Sequence, residues 1–235
     1  MDYGYFEKQI EERFTPLVTL VETDRKLVRK IRHDATGELF VLRRQEGGCE
    51  IYRKLLGVKS RYMPEIFETA EKDGRSLVLE EFVQGDSLSG MLMQTPFTAK
   101  ETRSIAMDVC RALYTLHGLG IVHRDVKPEN ILLRDDHAVL LDFDASRETR
   151  DGAGKDTEVL GTVGYAAPEQ YGISQTDGRA DIYALGVTMN VMLTGEHPSV
   201  RLAPGRLGRV ISRCIQVQSG RRYRDVRHLM EALSL

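Results

Sequence analysis

The stretch His123–Asn130 constrains this chain more than any other. It reads His-Arg-Asp-Val-Lys-Pro-Glu-Asn and is followed by the apolar run Ile131–Leu133. An Asp and an Asn separated by four residues in a loop lie on the same side of a turn. There the carboxylate of Asp125 could accept a hydroxyl proton, and the amide oxygen of Asn130 could hold a hard cation. Lys127 lies between them and would offset negative charge on a transferring phosphoryl group.

A second candidate metal ligand follows this loop. The apolar segment Val139–Leu141 has the length of a short strand and leads directly into Asp142 and Phe143. A carboxylate at that place, together with the carboxamide of Asn130, matches the hard oxygen ligands that Mg²⁺ prefers. The combination indicates metal-assisted chemistry on a phosphate group rather than an ordinary solvated loop.

These motifs resemble those of protein kinases. The loop is similar to the catalytic loop H-R-D-x-x-x-x-N, and Asp142-Phe143 resembles the start of the D-F-G element. Lys127, in the pattern H-R-D-x-K-P-x-N, resembles the serine/threonine-specific branch. Residues 161–169, Gly-Thr-Val-Gly-Tyr-Ala-Ala-Pro-Glu, resemble that branch's G-T-x-x-Y-x-A-P-E segment, and their continuation into Gln-Tyr-Gly resembles bacterial members. Asp181–Gly186 resembles the start of the long buried helix that supports the catalytic loop.

The resemblance implies a fold and an activity. The expected fold is α+β and two-lobed, as in protein kinases. Residues 1–83 would form an N-lobe with a small antiparallel sheet and one helix, and residues 84–235 would form a mainly helical C-lobe of the same kinase domain. The implied activity is that of a serine/threonine protein kinase that transfers the γ-phosphate of ATP to a protein hydroxyl.

The resemblance also implies catalytic roles for single residues. Asp125 would accept the proton of the substrate hydroxyl, with Lys127 beside the γ-phosphate. Asn130 and Asp142 would hold Mg²⁺. ATP and Mg²⁺ are therefore the expected cosubstrate and metal.

ATP contacts are implied at positions outside the catalytic loop. Leu132 matches the position under the adenine ring, and Val28 matches the valine that follows the glycine-rich loop. Glu81 to Val83 matches the hinge, whose backbone would hydrogen-bond the adenine edge. Glu80 flanks the back of the adenine pocket, where the family usually has an apolar residue.

The chain departs from the family at the phosphate-binding loop. Val21, Thr23 and Lys26 occupy the three glycine positions, where glycine would let backbone amides approach phosphate oxygens. Arg43 replaces the lysine of the third strand and keeps its charge, so that it can pair with Glu50. The with-no-lysine kinases place a lysine at the third glycine position. We therefore hypothesise that Lys26 contacts the phosphates while Arg43 holds Glu50; a solvated lysine in a basic turn is the alternative.

Two further departures affect the second half of the chain. Asp144 replaces the glycine of D-F-G, which restricts the backbone pivot there. The region between Pro198 and Ile211 is short, although typical kinases carry an extra helix there that helps to dock protein substrates. We expect the protein substrate to be recognised by other surfaces or through a regulatory protein partner.

Three supporting interactions are also implied by the resemblance. Thr162 matches the loop threonine that positions the catalytic Asp and Lys. Glu169 and Arg222 match a buried ion pair of the C-lobe. Arg124 could pair with a phosphate on the polar segment that follows, with Thr157 as the candidate acceptor. An ordinary exposed threonine at position 157 is the alternative.

Hydrophobic patterning predicts the elements of the first part. Phe6, Ile10 and Phe14 recur at a four-residue spacing, which is typical of a short amphipathic helix that docks on the sheet. Asp73-Gly74 predicts the turn of a hairpin. Apolar runs predict strands over 17–20, 27–31, 39–42, 66–70 and 77–82, and a brief helix over 50–56.

Helix signals dominate after residue 84. Thr98–Glu101 has the pattern of a capping box, and an apolar face follows it. From Asp181 the chain is expected to be largely helical, apart from a loop over Pro198–Gly208.

Composition limits the function classes. A net charge of −2 gives no reason to expect a nucleic acid or an anionic membrane as a partner. Cys49, Cys110 and Cys214 are few, odd in number and widely spaced, which favours a reducing compartment. No leader pattern or membrane-length apolar run is visible, so we expect a soluble cytoplasmic protein.

Two other functions are open at this point. The degraded phosphate loop and Arg43 also fit a pseudokinase that acts as a nucleotide-responsive protein-binding module. Aminoglycoside phosphotransferases resemble this fold and can carry Asp-Phe-Asp strings, although the Ala-Pro-Glu segment and Thr162 argue against that class.

Overall fold

The computed structural model describes residues 2–149, 162, 164–171 and 176–235. The chain divides into two units, Met1–Val83 and Gln84–Leu235. The predicted α+β class is confirmed, because the first unit is built on an antiparallel sheet and the second is mainly helical. Among the described residues, no helix combines the length and the apolar composition needed to cross a bilayer.

The first unit holds a five-stranded sheet and two helices. Its elements in chain order are α1 (Tyr3–Arg13), β1 (Phe14–Glu22), β2 (Lys26–His33), β3 (Leu39–Glu46), α2 (Glu50–Leu55), β4 (Ile66–Lys72) and β5 (Arg75–Glu81). The strand order is β1-β2-β3-β5-β4, and every neighbouring pair is antiparallel. Each strand predicted from the apolar runs is present, with ends that differ by a few residues.

Helix α1 packs on one face of this sheet, as its apolar spacing predicts. Phe6 and Ile10 are buried against a cluster that includes Ile31, Leu42 and Leu77. The helix begins after Asp2, whose carboxylate accepts the amide of Tyr5 at 2.9 Å.

The predicted extent of this helix was wrong at its end, because Phe14 starts β1 instead. Its backbone is extended, it pairs with His33 in the sheet, and its ring packs edge-on against Phe40 with centroids 5.6 Å apart. An aromatic residue is well accommodated on a half-buried pleated surface, and this packing outweighs the helical spacing.

The turn between β4 and β5 forms where Asp73-Gly74 predicts it. Asp73 has a φ of 50° and Gly74 a φ of 70°, and the flanking Lys72 and Arg75 are cross-strand partners. Positive φ at both central residues suits the twist of a two-residue hairpin, which explains the preference for Asp-Gly.

The second unit is mainly helical, with three short antiparallel strand pairings. Its elements are β6 (Asp86–Ser87), α3 (Leu88–Leu92), α4 (Ala99–Gly118), β7 (Ile121–Val122), β8 (Ile131–Arg134), β9 (His137–Leu140), β10 (Arg147–Glu148), α5 (Arg179–Thr194), α6 (Gly205–Cys214) and α7 (Val226–Ser234). Strand β8 lies between β6 and β9, and β10 pairs with β7.

Helix α4 is central to this unit and begins at the predicted capping box. The Thr98 hydroxyl accepts the amide of Glu101, and the Glu101 carboxylate accepts the amide of Thr98 at 2.8 Å. The helix packs against α5, α7 and β9 through buried side chains such as Val109, Leu113 and Leu116. It therefore forms the centre of this unit.

The loop predicted over Pro198–Gly208 is shorter than expected, because α6 begins at Gly205. Gly208 lies inside this helix, and a Cβ there would come within 1.8 Å of the Ala203 carbonyl oxygen. The glycine is required by this close approach and does not mark a loop, which is why its presence misled the prediction.

Candidate active site

The loop between β7 and β8 is anchored by a buried carboxylate from α5. Asp181 is fully buried and accepts the main-chain amides of His123 at 2.9 Å and Arg124 at 2.7 Å. It also bonds His117 Nε2 at 2.8 Å. Burial raises the pKa of Asp181, but its hydrogen bonds, above all that with His117, outweigh burial and hold the pKa below its usual range. The ionised carboxylate thus fixes the start of the His123–Asn130 loop.

The anchored segment includes an unusual backbone conformation. Arg124 has a φ of 69°, in the left-handed region that a residue with a long side chain rarely adopts. Its carbonyl accepts a hydrogen bond from the side-chain Nε2 of Gln170 at 3.0 Å, while Gln170 Oε1 accepts the main-chain amide of Ala167 at 3.0 Å. Sequence reasoning missed Gln170, because a glutamine after Pro-Glu carries no signal that it is buried against another loop.

Around Asp125 the structure brings together the residues predicted to carry the chemistry. Thr162 donates its hydroxyl to Asp125 Oδ1 at 2.7 Å, and Lys127 Nζ lies 2.8 Å from Oδ2. Asn130 Nδ2 donates to Oδ2 and to the Asp125 carbonyl, both at 2.9 Å. Lys127 also donates to the Thr162 hydroxyl at 2.5 Å. The expected contact of Thr162 with both the Asp and the Lys is therefore present.

These hydrogen bonds set the charge state of Asp125. Burial raises its pKa, but the bonds from Lys127, Thr162 and Asn130 outweigh burial and hold the pKa below the ordinary aspartate value. Its side chain is 16% exposed, so the carboxylate is accessible as well as ionised. A carboxylate in this state can accept a hydrogen bond from a hydroxyl group.

Asp142 directly follows Leu141, the residue whose main chain is hydrogen-bonded to Asn130. Leu141 donates its amide to the Asn130 carbonyl at 2.8 Å, directly beyond the paired residues Ile131 and Leu140. Asp142 has a φ of 63°, and Phe143 behind it is buried. The two side chains predicted to hold a metal therefore come from adjacent points of two neighbouring chain segments.

The donor set fits a magnesium ion. The nitrogen of the Asn130 carboxamide faces Asp125, which turns its oxygen the other way, and Asp142 adds a carboxylate. Within the described residues, no group of three or more His, Cys, Asp and Glu side chains could enclose a metal. Mg²⁺ usually takes one or two side-chain ligands and completes its shell with phosphate oxygens and water.

In the first unit, three predicted ATP-binding residues share one face of the sheet. Val28 is the cross-strand partner of Arg43, and Lys26 is the partner of Gln45 two residues further along. Side chains alternate between the faces of a sheet, so Lys26, Val28 and Arg43 lie on the same face. Helix α1 covers the other face through its contacts with Ile31 and Leu42.

The remaining predicted positions lie at the end of β5, just beyond it, and within β8. Glu81 ends β5 and donates its amide to the Glu65 carbonyl at 2.9 Å, and Val83 is buried. Leu132 lies in β8 of the second unit, between Ser87 and Val139 in the small sheet.

Comparison with known proteins decides the family. Residues 48–223 match the protein kinase domain. This chain belongs to the protein kinase family. It is 32% identical over 206 residues to serine/threonine-protein kinase D of Synechocystis, covering 76% of this chain and 39% of that protein. It is 39% identical over 142 residues to the probable serine/threonine-protein kinase PknB of Corynebacterium glutamicum, covering 57% and 22%.

A third relative, serine/threonine-protein kinase PknA of Nostoc, is 31% identical over 206 residues, covering 77% of this chain and 36% of that protein. This kinase chain spans about two fifths or less of the length of each of these relatives. The family match starts at residue 48, so β1, β2 and β3 lie before it. The departures at Lys26 and Arg43 fall in this segment.

The partner of Arg43 in this kinase corrects an expectation. Arg43 Nε donates to Glu80 Oε1 at 2.7 Å, and the two side chains are only 9% and 4% exposed. Glu50, the expected partner, is exposed at the first residue of α2. The register explains this change, because Glu80 is paired with Val41 and so lies two residues from Arg43 on the same sheet face.

The β1–β2 turn uses its backbone amides internally. The amides of Arg25 and Lys26 donate to the Thr23 hydroxyl at 3.4 and 3.0 Å, and the amide of Thr23 donates to the Lys26 carbonyl at 2.8 Å. In glycine-rich phosphate loops such amides face the anion. This turn therefore favours a phosphate contact made by a side chain over one made by the backbone.

The predicted ion pair of the second unit is present. Arg222 donates to both oxygens of Glu169, at 2.6 and 2.8 Å, and its side chain is fully buried. It also donates to the carbonyls of Gln216, Val217 and Arg179. The pair ties the Pro168–Tyr171 turn to the chain before α7. The candidate phosphoacceptor at position 157 lies outside the described residues.

Proposed function

We propose that this chain is a serine/threonine protein kinase that transfers the γ-phosphate of ATP to a protein hydroxyl. The observation that carries the proposal is the hydrogen-bonded group of Asp125, Lys127, Asn130 and Thr162 beside Asp142. The names of its relatives as serine/threonine kinases support the same activity. Residues 1–83 would be the N-lobe and residues 84–235 the C-lobe.

Asp125 is the proposed base. Its lowered pKa keeps the carboxylate ionised at neutral pH, so that it can orient the substrate hydroxyl and take its proton as transfer proceeds. Lys127 neutralises charge on the transferring group, and Thr162 holds both side chains in one arrangement. The chain thus supplies positioning and electrostatic stabilisation, which phosphoryl transfer chiefly requires.

Asn130 and Asp142 are the proposed metal ligands. When held by these two side chains, Mg²⁺ would supply positive charge that offsets the negative charge developing during transfer. The hydrogen bond from Asn130 to Asp125 couples this proposed metal ligand to the proposed base. Loss of the Asn130 side chain would therefore also disturb the position of the base.

The nucleotide-binding residues are proposed from their shared sheet face and their family positions. Lys26 would contact the phosphates, Val28 and Leu132 would contact the adenine, and the backbone of Glu81 to Val83 would bond the adenine edge. Arg43 would supply a further positive charge on the same face as Lys26. The internal bonding of the β1–β2 turn supports a phosphate contact through the Lys26 side chain.

We further propose a protein as the substrate and a reducing, cytoplasmic setting. The three cysteines are buried free thiols, which supports a reducing setting, because disulfides are rare there. The short connection between α5 and α6 supports substrate selection through other surfaces or a regulatory protein partner.

The test of the activity is transfer of labelled phosphate. Wild-type protein, Asp142→Asn and the surface control Asp136→Asn are incubated with Mg²⁺ and ATP carrying a labelled γ-phosphate. We expect label on protein Ser or Thr residues, this chain's included, with wild type and the control, and none with Asp142→Asn. Asp136 is a suitable control because its side chain is 80% exposed. Thermal stabilisation of the wild type by ATP without any labelled protein would instead identify a pseudokinase.

A further inference from the structure

The first unit contains a buried pair of opposite charges at a place where protein kinases are not expected to have one. The contact between Arg43 Nε and Glu80 Oε1 is 2.7 Å long, and the exposures of the two side chains are 9% and 4%. A buried charge is costly unless it is compensated, so each of these side chains depends on the other. Glu80 occupies a position that the family usually fills with an apolar residue, so a buried charge at this position calls for a specific role.

The pair lies on the sheet face that carries the proposed phosphate contacts. Arg43 is cross-strand to Val28 on one side and to Val78 on the other, and Glu80 is cross-strand to Val41. Strands β3 and β5 are hydrogen-bonded neighbours, so the sheet register sets the separation of the two side chains. Both members of the ion pair therefore belong to the sheet itself.

Helix α2 contributes an aromatic ring instead of a carboxylate. Tyr52 is 2% exposed, and the centroid of its ring lies 5.7 Å from the guanidinium carbon of Arg43. That distance is within the range of a cation–π contact. Glu50, on the same helix, is exposed. In this six-residue helix the ring of Tyr52 packs beside Arg43, while the carboxylate of Glu50 faces solvent.

We infer that Glu80 is a positioning residue for nucleotide binding: it holds Arg43 toward the phosphates of ATP, and Glu50 is not needed for this. The inference rests on the proposed function only in taking ATP as the ligand. Glu80 acts through Arg43 and does not itself touch the reacting atoms. Because Glu80 lies in the sheet, this support of Arg43 does not require a carboxylate from α2.

A double-mutant cycle on nucleotide affinity tests this inference. The variants are Glu80→Gln, Arg43→Met and their combination, with Glu50→Gln as the contrast. Dissociation constants for Mg·ATP and for adenosine are measured by calorimetry, and urea unfolding is measured for every variant. We expect Glu80→Gln to weaken Mg·ATP binding about tenfold in the wild-type background and less than about twofold in the Arg43→Met background, because the effect passes through Arg43. Glu50→Gln should leave the affinity within about twofold of wild type.

Adenosine separates positioning from a purely structural role. Adenosine carries no phosphate, so Glu80→Gln should weaken the binding of Mg·ATP more than that of adenosine, even though Glu80 flanks the adenine pocket. A general distortion of the sheet would weaken adenosine and Mg·ATP alike, and that result would overturn the inference. Additive effects of the two substitutions on Mg·ATP affinity would also overturn it.

A second variant covers the case in which Glu80→Gln does not fold. Arg43→Met/Glu80→Met replaces both charges by apolar groups, a change that buried ion pairs often tolerate. Its affinity for Mg·ATP, relative to its affinity for adenosine, should be as low as that of Arg43→Met. Wild-type affinity for Mg·ATP in this variant would refute the role of the pair.

The outcomes for the inference and for the kinase activity are distinguishable. If the wild type binds Mg·ATP without transferring phosphate, the proposed activity fails while the cycle still decides the role of Glu80. If the wild type transfers phosphate and Glu80→Gln binds Mg·ATP normally, only the inference fails. A wild type that binds no Mg·ATP would overturn both.

Discussion

The carboxylate of Asp181 accepts the main-chain amide of Arg124 at 2.7 Å, although the two residues are 57 positions apart. The bond joins the first turn of a buried helix to the residue just before the proposed base. Arg124 has a φ of 69°, so its backbone conformation depends on such support. The stability of the second unit and the geometry of the catalytic loop therefore rest on the same side chain.

Asp181→Asn should lower both stability and activity. The substitution removes the charge that accepts two backbone amides and the His117 ring, and it places an amide group against donors. We expect a loss of about 3 kcal/mol in the free energy of unfolding, measured in urea, together with reduced phosphate transfer. Asp136→Asn, at an exposed position, should change neither. An Asp181→Asn variant as stable as wild type would contradict this account of the loop.

Thr162→Val should move the acid limb of the activity profile to higher pH. The native pKa of Asp125 is lowered, so the wild-type base stays ionised as the pH falls to the ordinary aspartate value of about 3.9. Thr162 supplies one of the bonds that favour the ionised form, and its loss raises that pKa. The measurement is kcat/KM for peptide phosphorylation against pH, with thermal unfolding followed in parallel.

The same lowered pKa has a consequence for stability. A group with a lowered native pKa stabilises the fold above its unfolded pKa, and the contribution is lost as the pH falls through the native pKa. In Thr162→Val the native pKa lies closer to the unfolded value, so this contribution should be smaller and its loss should be complete at a higher pH than in the wild type. Identical acid limbs for the two proteins would show that Thr162 does not act on Asp125.

Much of the catalytic loop could be predicted because its interactions are local. Asp125 and Asn130 bond each other within five residues, so their spacing already specifies the contact. The Asp73-Gly74 turn is also specified locally, by residues that tolerate positive φ. In both cases the chemistry and the geometry reside in one short segment.

The partner of Arg43 could not be predicted in this way. Both Glu50 and Glu80 are carboxylates within reach of β3, and the choice depends on the register of β5 and on which side chain is buried. The family pattern favoured Glu50, and the sheet packing selects Glu80. Gln170 was missed for a related reason, since its contact with Arg124 spans 46 residues and leaves no local pattern.

Lys26→Ala should weaken Mg·ATP binding. Lys26 lies on the sheet face of Val28 and Arg43, and loss of one partly exposed charge contact is expected to cost about 1 kcal/mol, or about fivefold in affinity. Arg29→Ala is the matched control, because it removes the same charge from the face that α1 covers. The affinities are measured by titration calorimetry at low salt. If Lys26→Ala had no effect on affinity or turnover while Arg43→Ala abolished both, the Lys26 hypothesis would be wrong.

Arg222→Lys should destabilise the fold despite keeping the charge. A lysine cannot reproduce the two parallel bonds to Glu169, and it would leave backbone carbonyls without a donor. We expect a loss of about 3 kcal/mol in the free energy of unfolding. The exposed neighbour gives the control, since Arg221→Lys should be neutral. Equal unfolding midpoints for the two variants would show that the pair contributes little.

The central claim is that Asp125 acts as the base of a phosphoryl transfer, and its most direct test is the transfer rate of Asp125→Asn. The rate of labelled phosphate transfer is measured at saturating Mg·ATP, alongside the affinity for Mg·ATP and the melting temperature. We predict that kcat falls by about 10²- to 10⁴-fold while the affinity stays within about twofold of wild type. Transfer at the wild-type rate by a folded Asp125→Asn protein would contradict the account.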